Sequence, residues 1–193
     1  MALSAMVVVL VVALSLVLVS APQPTVRTVT VTSTVAPTEH AIESVSESFA
    51  QHLLFFSSKD VSATISQYEP NATVEWQNLY CLSGLYQNAG TSNGDMAKLL
   101  VDFFDGKFNA PLSSLYAGNT SKMTVTPLPN GAMVVNSTFG LVGLAATGNF
   151  TATISAQDSY AYSSSSNAWM ISQETWHWLT YYTPQNVLAC SIG

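Results

Sequence analysis

The chain has 193 residues, of which 48% are hydrophobic and 8% are charged, and its formal net charge at pH 7 is -6. With 5 Lys and Arg residues against 11 Asp and Glu residues, it lacks the basic cluster that binds a phosphate backbone, which argues against nucleic acid as a partner. The HExxH motif, a phosphate-binding loop and a dinucleotide fingerprint are also absent. This composition predicts a neutral, polar surface of the kind found on exported proteins.

An apolar run without a charged residue, residues 2–19, begins the chain. Its length lies on the border between a secretory signal and a membrane anchor. Pro22 disfavours cleavage after Ala21, whereas cleavage after Ser20 remains open. We therefore predict a signal peptide or membrane anchor at residues 1–20, and a mature protein that stays bound to the membrane.

A Thr- and Pro-rich segment, residues 21–38, follows the apolar run. The alternation of Thr and Val is compatible with a β-strand. The low-complexity composition favours instead an extended, O-glycosylated stalk that holds the next domain away from the membrane.

Two further patterns favour an extracytoplasmic location. Cys81 and Cys190 form an even pair in a chain with an export signal, which predicts one disulfide. The Asn-x-Ser/Thr acceptor pattern is used for glycosylation on the outer side of a membrane. We therefore expect a cell-surface glycoprotein, either membrane-anchored or secreted. The acceptor residues are Asn71, Asn119, Asn136 and Asn149.

The folded domain is predicted at residues 39–182, followed by a tail, residues 183–193, that carries Cys190. Apolar residues at steps of three and four predict an amphipathic helix over residues 39–57, with Glu43, Glu47 and Gln51 outside. A shorter helix is predicted over residues 58–68. After a loop at residues 77–93, a third helix begins at a capping box from Ser92 to Asp95 and ends at Gly106.

The apolar period changes to two at residues 71–76, and again after residue 107, which predicts β-strands. Helices followed by a long antiparallel meander predict an α+β fold, in which a curled, mainly antiparallel sheet buries one face against the helices. The strands predicted after residue 107 are 112–116, 122–128, 132–145, 149–162 and 168–182.

Over residues 39–182 the chain resembles the NTF2-like, or SnoaL-like, superfamily. The resemblance rests on Lys59-Asp60-Val61 leading into residues 68–76, YEPNATVEW, on Gly84-Leu85-Tyr86, and on Trp169-Met170-Ile171. It implies a cone-like pocket between sheet and helices, which different members use for isomerase, dehydratase, hydrolase or cyclase chemistry or for binding alone. The chain has no Arg after Arg27, which excludes an Asp-Arg-Asp arrangement for epoxide opening.

The last strand carries the candidate catalytic residue. Strict alternation from Trp169 and Ile171 places His177 inside the pocket and turns Glu174, Trp176 and Trp178 away from it. His177 is then a candidate general base, with Glu75 as its carboxylate partner. The alternative is a His177 merely hydrogen-bonded among aromatic residues and a Glu75 that faces water. The predicted ligand-binding residues are Trp169, Gln173, Thr175, Tyr80 and Tyr86.

Two functions from different classes remain open. The preferred one is an exported, membrane-tethered domain that binds a small apolar or sugar ligand, or a protein partner such as a second copy, without catalysis. The alternative is a small extracytoplasmic enzyme of the cyclase or dehydratase type that uses His177 with a carboxylate, and a structural surface protein is a further alternative. A pocket lined by apolar and aromatic residues favours binding, whereas a buried His beside a carboxylate favours chemistry. No metal and no cofactor is predicted.

Overall fold

A computed structural model describes residues 39–79, 82–88, 95–106, 111–118, 120–146 and 148–182. Within these ranges no helix has the length and apolar character needed to cross a membrane. The predictions that lie outside the described residues concern the apolar run, the stalk, the capping residue Ser92, Tyr80, Cys81, Asn119 and the tail with Cys190.

The helices are α1 (Glu39–Ser57), α2 (Val61–Ile65) and α3 (Asp95–Val101), and a π-helical turn, Asp102–Gly106, continues α3. The amphipathic helix predicted over residues 39–57 is confirmed. Its buried face includes Phe49 and Phe56, and its predicted outer residues are exposed. The same face also buries His52, which the pattern of apolar residues did not reveal.

The strands are β1 (Tyr68–Gln77), β2 (Gly84–Gln87), β3 (Leu112–Ala117), β4 (Lys122–Pro127), β5 (Met133–Ala145), β6 (Gly148–Ser163) and β7 (Ala168–Tyr182). Every predicted strand forms. The prediction of a loop throughout residues 77–93 is wrong, because β2 lies within it. A strand of four residues is too short for a period of two to stand out, and its pairing with β1 supplies the stabilisation.

The strands form one curled, mixed sheet in the order β2-β1-β7-β6-β5-β3, and β4 pairs with the first half of β5. Only β1 and β7 pair in parallel among the described strands. The predicted α+β class with a mainly antiparallel sheet is confirmed. We call the face of the sheet that contacts the helices the inner face, and the opposite one the outer face.

Aromatic side chains fill the space between the inner face and the helices. Trp76 and Trp176 stack with an interplanar angle of 4° and ring centroids 5.8 Å apart. Phe56 of α1 meets Trp176 edge-on at 5.1 Å, and Phe103 contacts Trp76 at 5.3 Å. Each such side chain contributes about 1.5–3 kcal/mol by leaving water. The interior of the cone is thus a packed aromatic core.

A β-bulge in β7 reverses the predicted orientation of its second half. Tyr160 of β6 pairs with Ile171, but the preceding residue Ser159 pairs with Gln173, so Ser172 is an extra residue. One extra residue moves every later side chain to the other face of the sheet. The prediction from strict alternation is therefore wrong beyond Ile171. The residues that face the core are Glu174, Trp176 and Trp178, whereas Gln173, Thr175 and His177 lie on the outer face.

Candidate functional site

Glu174 lies on the inner face of β7, where its side chain is 1% exposed. Its carboxylate accepts three hydrogen bonds. His52 Nε2 lies 3.1 Å from Oε2, which also accepts from the Tyr68 hydroxyl, and Trp76 Nε1 donates to Oε1 at 3.0 Å. These contacts join β7 to α1 and β1 through one buried carboxylate.

His52 of α1 is the partner of Glu174 in a buried pair. Its Nδ1 lies 3.0 Å from Gln67 Oε1, while its Nε2 faces the Glu174 carboxylate. Both ring nitrogens of His52 thus have an oxygen atom within hydrogen-bond distance. The pair connects α1 to the centre of the sheet.

Asp158 of β6 stands directly opposite Glu174 in the β6–β7 ladder and is also fully buried. Burial raises the pKa of Asp158 well above its ordinary value, and the charge of Glu174 raises it further. The hydrogen bond that Trp176 Nε1 donates to Asp158 Oδ1, at 3.2 Å, acts in the opposite direction. Two neighbouring carboxyl groups in a dry site do not both ionise at low cost. Of the two carboxyl groups, Asp158 is the one whose pKa is raised, so it holds its proton more tightly than an exposed aspartate does.

Some polar atoms in this part of the described structure have no hydrogen-bond partner, among them Asp158 Oδ2 and the Tyr160 hydroxyl. These residues are two apart on β6, so their side chains point to the same face. The pKa of Tyr160 is raised well above its ordinary value by burial and then by the charges of Asp158 and Glu174. Burial, followed by Glu174, raises the pKa of Tyr68 in the same way. Both tyrosines are therefore neutral proton donors.

The predicted catalytic pair, His177 and Glu75, lies on the outer face and not in the cone. Gln77 joins the two: its Nε2 donates to Glu75 Oε1 at 2.9 Å, and its Oε1 lies 3.0 Å from His177 Nδ1. On the other side of the ring, Asn78 Nδ2 donates to His177 Nε2 at 2.8 Å. Both ring nitrogens of His177 therefore have an amide partner. In this arrangement His177 has no free lone pair for a general base.

The outer face forms a groove of about 500 Å³ where polar residues of five strands meet. Successive strand pairings align its residues in two rows. The first row is Gln77, His177, Ser155, Thr138 and Lys122. The second row is Glu75, Thr175, Gln157, Asn136 and Thr124; all of its members except Glu75 line the groove. Gln157 Nε2 donates to Asn136 Oδ1 at 3.0 Å within the second row. We call this surface the outer groove.

The predicted ligand-binding residues that the structure describes lie in separate places. Trp169 is half-buried against the core and meets Tyr162 edge-on at 5.5 Å. Gln173 is exposed on the outer face, and Thr175 lines the outer groove. Tyr86 lies in a separate cleft of about 300 Å³ between β2 and α3. There, partial burial and the charge of Asp102 raise its pKa.

The described glycosylation acceptors occupy different settings. Asn71 and Asn149 are exposed, and Asn71 has a left-handed φ of 70°. Asn136 is half-buried in the middle of β5 and lines the outer groove. Attachment of a glycan at any of them stays a prediction.

Three helices against one strongly curled sheet define the class of the domain, which has the NTF2-like (SnoaL-like) fold. A ketosteroid isomerase-like protein from Erwinia carotovora atroseptica aligns with a TM-score of 0.58 and 12% identity, covering 74% of this chain and 99% of that one. The hexachlorocyclohexane dehydrochlorinase LinA-type3 from Novosphingobium barchaimii aligns with a TM-score of 0.57 and 9% identity, covering 76% and 89%. The CaMKII hub of S. rosetta aligns with a TM-score of 0.54 and 14% identity, covering 71% and 95%.

The structural alignments establish the fold. Identities this low leave the activity open, because enzymes and a hub domain share the same fold. No family model matches the chain, and no curated protein matches it by sequence. The resemblance seen in the sequence is confirmed for the fold.

The buried site residues were missed by sequence reasoning, although two of them left a signal. His52 falls on the apolar stripe of α1, between Phe49 and Phe56. Asp158 falls in the apolar phase of β6, between Ala156 and Tyr160. A polar residue at a core position is the informative exception in an amphipathic pattern. Glu174 left no such signal, because the bulge reverses its orientation.

Proposed function

We propose that this chain is an extracytoplasmic, membrane-tethered domain of NTF2-like fold that binds a ligand or a partner protein without catalysis. The observation that carries the proposal is the packed interior of the cone. Trp76, Trp176 and Trp178 are each about 1% exposed or less and fill the space where a substrate would lie. Among the ionisable groups of this interior, Glu174 is bonded to His52 and Tyr68.

The outer groove supplies the surface for binding. Its side chains are held by hydrogen bonds before any ligand arrives, as in the series Asn78, His177, Gln77 and Glu75. Pre-organised groups lose less conformational entropy when they bind a ligand. The groove is open on the face that no helix of the described structure covers.

The proposed extracytoplasmic location is inferred from the sequence. The apolar run at residues 2–19, the Thr-rich stalk and the acceptor pattern at Asn71, Asn136 and Asn149 all favour the outer side of a membrane. A tethered binding domain on a stalk is consistent with this order of segments.

A second function, acid–base chemistry of the dehydratase or isomerase type, is favoured by the Asp158–Glu174 pair. A protonated acid beside a carboxylate is the arrangement from which a proton donor and a proton acceptor can be built. Asp158 Oδ2 and the Tyr160 hydroxyl have no hydrogen-bond partner in the described structure and are therefore free to contact a substrate. In this reading Asp158 and Glu174 carry the chemistry, in place of the pair His177 and Glu75 that the sequence suggested.

One experiment compares the two functions. The full chain, purified in detergent, is exposed to a panel of neutral sugars, sulfated sugars, amino acids, fatty acids and cyclic ketones. Binding is followed by calorimetry, and each compound is afterwards analysed by mass spectrometry. Gln157→Ala alters the outer groove, and Asp158→Asn alters the interior without changing its shape.

We expect at least one compound to bind, to be recovered chemically unchanged, and to bind more weakly to Gln157→Ala but equally to Asp158→Asn. Conversion of a compound by the wild-type chain, lost in Asp158→Asn, would establish the second function and overturn the first.

A further inference from the structure

The outer groove has a chemical character that identifies the class of ligand. Among the described residues that line it, Lys122 is the single charged one. The two ring nitrogens of His177 are already occupied by hydrogen bonds with Asn78 and Gln77. Glu75 stands outside the groove, at the β1 end of the second row, whereas Lys122 lies on β4. Apart from Lys122, the groove therefore offers neutral hydrogen-bonding groups.

The groups on its surface both donate and accept hydrogen bonds. The amides of Asn136 and Gln157 each present a carbonyl oxygen and an NH₂ group, and the hydroxyls of Thr124, Thr138 and Thr175 act in either role. Sugar hydroxyls have the same dual character. An anion, by contrast, accepts hydrogen bonds only and requires converging cations. Lys122 and His177 lie three strands apart in their row, roughly 14 Å at the usual strand spacing, and do not converge.

The two rows also fix the extent of the site. They cross β1, β7, β6, β5 and β4. Five strands at the usual spacing of about 4.8 Å span roughly 19 Å. This length exceeds one sugar ring and fits a short chain of them.

We infer that the outer groove binds a neutral oligosaccharide, lying across the strands with its hydroxyls on the two polar rows. The inference rests on the proposed function and deepens it by naming the ligand class and the residues. The contacts on the second row are Thr175, Gln157, Asn136 and Thr124.

The test uses the full chain produced in a bacterial host without N-glycosylation, since a glycan on Asn136 would itself occupy the groove. The probes are maltohexaose, mannohexaose and chitohexaose, with a fully sulfated heparin hexasaccharide as the anionic comparison. Threonine methyl signals in NMR spectra report the position of the bound sugar. Thr124, Thr138 and Thr175 lie in the groove, whereas Thr126 and Thr153 lie on the same outer face of the sheet but do not line the groove.

We expect at least one neutral hexasaccharide to shift the three groove methyl signals and to leave the other two unchanged. Thr124→Val removes one hydroxyl at constant shape, and Gln157→Ala removes one amide. Each variant should weaken binding by roughly threefold to tenfold, the effect of losing one neutral hydrogen bond. Thr126→Val, on the same strand and face, is the matched control and should bind as the wild type does.

The other outcomes distinguish a failure of the inference from a failure of the proposed function. Stronger binding of the sulfated probe at the groove overturns the neutral class and leaves the binding function in place. If no neutral hexasaccharide binds, or if Thr124→Val and Thr126→Val behave alike, the inference is overturned, and the compound panel described above decides the binding function separately. If a neutral sugar binds and is converted, the inference stands and the non-catalytic function fails.

Discussion

The buried side chain of Glu174 connects three elements of this domain. It receives hydrogen bonds from α1 through His52 and from β1 through Tyr68 and Trp76, while it belongs to β7 itself. A buried ion pair is not by itself strong evidence for stability, because desolvation opposes the attraction. Breaking it by removing one partner is costly, since the other charge is then buried alone.

Glu174→Gln should lower the free energy of unfolding by about 3–5 kcal/mol, because it breaks the buried pair with His52 by removing one partner. Urea unfolding at pH 7 measures the change. Gln173→Ala, at the exposed neighbouring position, is the control and should change stability by about 0.5 kcal/mol or less. A loss below about 1 kcal/mol in Glu174→Gln would contradict the contribution of this pair to stability.

Asp158 makes stability depend on pH. Burial and Glu174 raise its pKa in the folded protein, whereas the unfolded chain has an ordinary value of about 4. The folded state therefore holds this proton more tightly, so the stability it contributes is complete below about pH 4 and is lost as the pH rises through the folded pKa. Asp158→Asn cannot ionise and should lose less stability than the wild type between pH 4 and pH 7.

Urea unfolding of both proteins at the two pH values gives this comparison, since all other titrating groups are common to them. Equal losses in the two proteins would mean that Asp158 ionises as easily in the folded state as in the unfolded chain.

At the scale of the element, the bulge in β7 decides which face of the strand enters the core. Ser172 is the extra residue, and its hydroxyl donates to the Ser159 carbonyl at 3.1 Å. An odd number of positions separates Ile171 from Trp176, so an unbroken strand would place these two side chains on opposite faces. The bulge allows both of them to enter the core.

Deleting Ser172 should abolish the cooperative unfolding transition. Without the extra residue, strict alternation would turn Glu174, Trp176 and Trp178 to the outer face or force β7 out of register. Circular dichroism during thermal unfolding measures this effect. Ser172→Ala keeps the chain length and should retain the transition with a loss of about 1 kcal/mol. A deletion variant that unfolds as cooperatively as Ser172→Ala would show that the bulge is dispensable.

At the scale of the whole molecule, the prediction for the N-terminus concerns residues 2–19. We expect the mature chain to keep this run and to remain in the membrane fraction, because Pro22 disfavours cleavage after Ala21. Mass spectrometry of the mature N-terminus decides the point. A chain that begins near Ala21 or Pro22 would contradict it.

The second prediction at this scale is the bond between Cys81 and Cys190, which closes a loop of roughly 100 residues. In the chain-entropy model such a bond stabilises by about 4–5 kcal/mol. Peptide mapping with and without a reductant identifies it. Cys81→Ser and Cys190→Ser should then each lose the same stability, and the double variant should lose no more; a further loss in the double variant would show that the cysteines do not pair.

Local sequence determined most of the elements. The helix at Glu39–Ser57 and the strands β3 to β7 follow from apolar periods of 3.6 and 2, because these periods place the apolar side chains on one face without reference to other parts of the chain. The order of these elements was enough to predict the α+β class. The resemblance to the NTF2-like superfamily then gave the cone, which the structure confirms as a fold.

Only the tertiary structure decided the orientation of β7 and, with it, the identity of the buried site. A bulge is set by pairing with the neighbouring strand β6, so the sequence of β7 alone does not place it. The sequence already shows that strict alternation cannot turn both Ile171 and Trp176 to the same face. Only the pairing with β6 shows which residue is the extra one. For the same reason Glu174, His52 and Asp158, which are distant along the chain, meet only when α1, β6 and β7 are packed together, and His177 lies on the outer face instead.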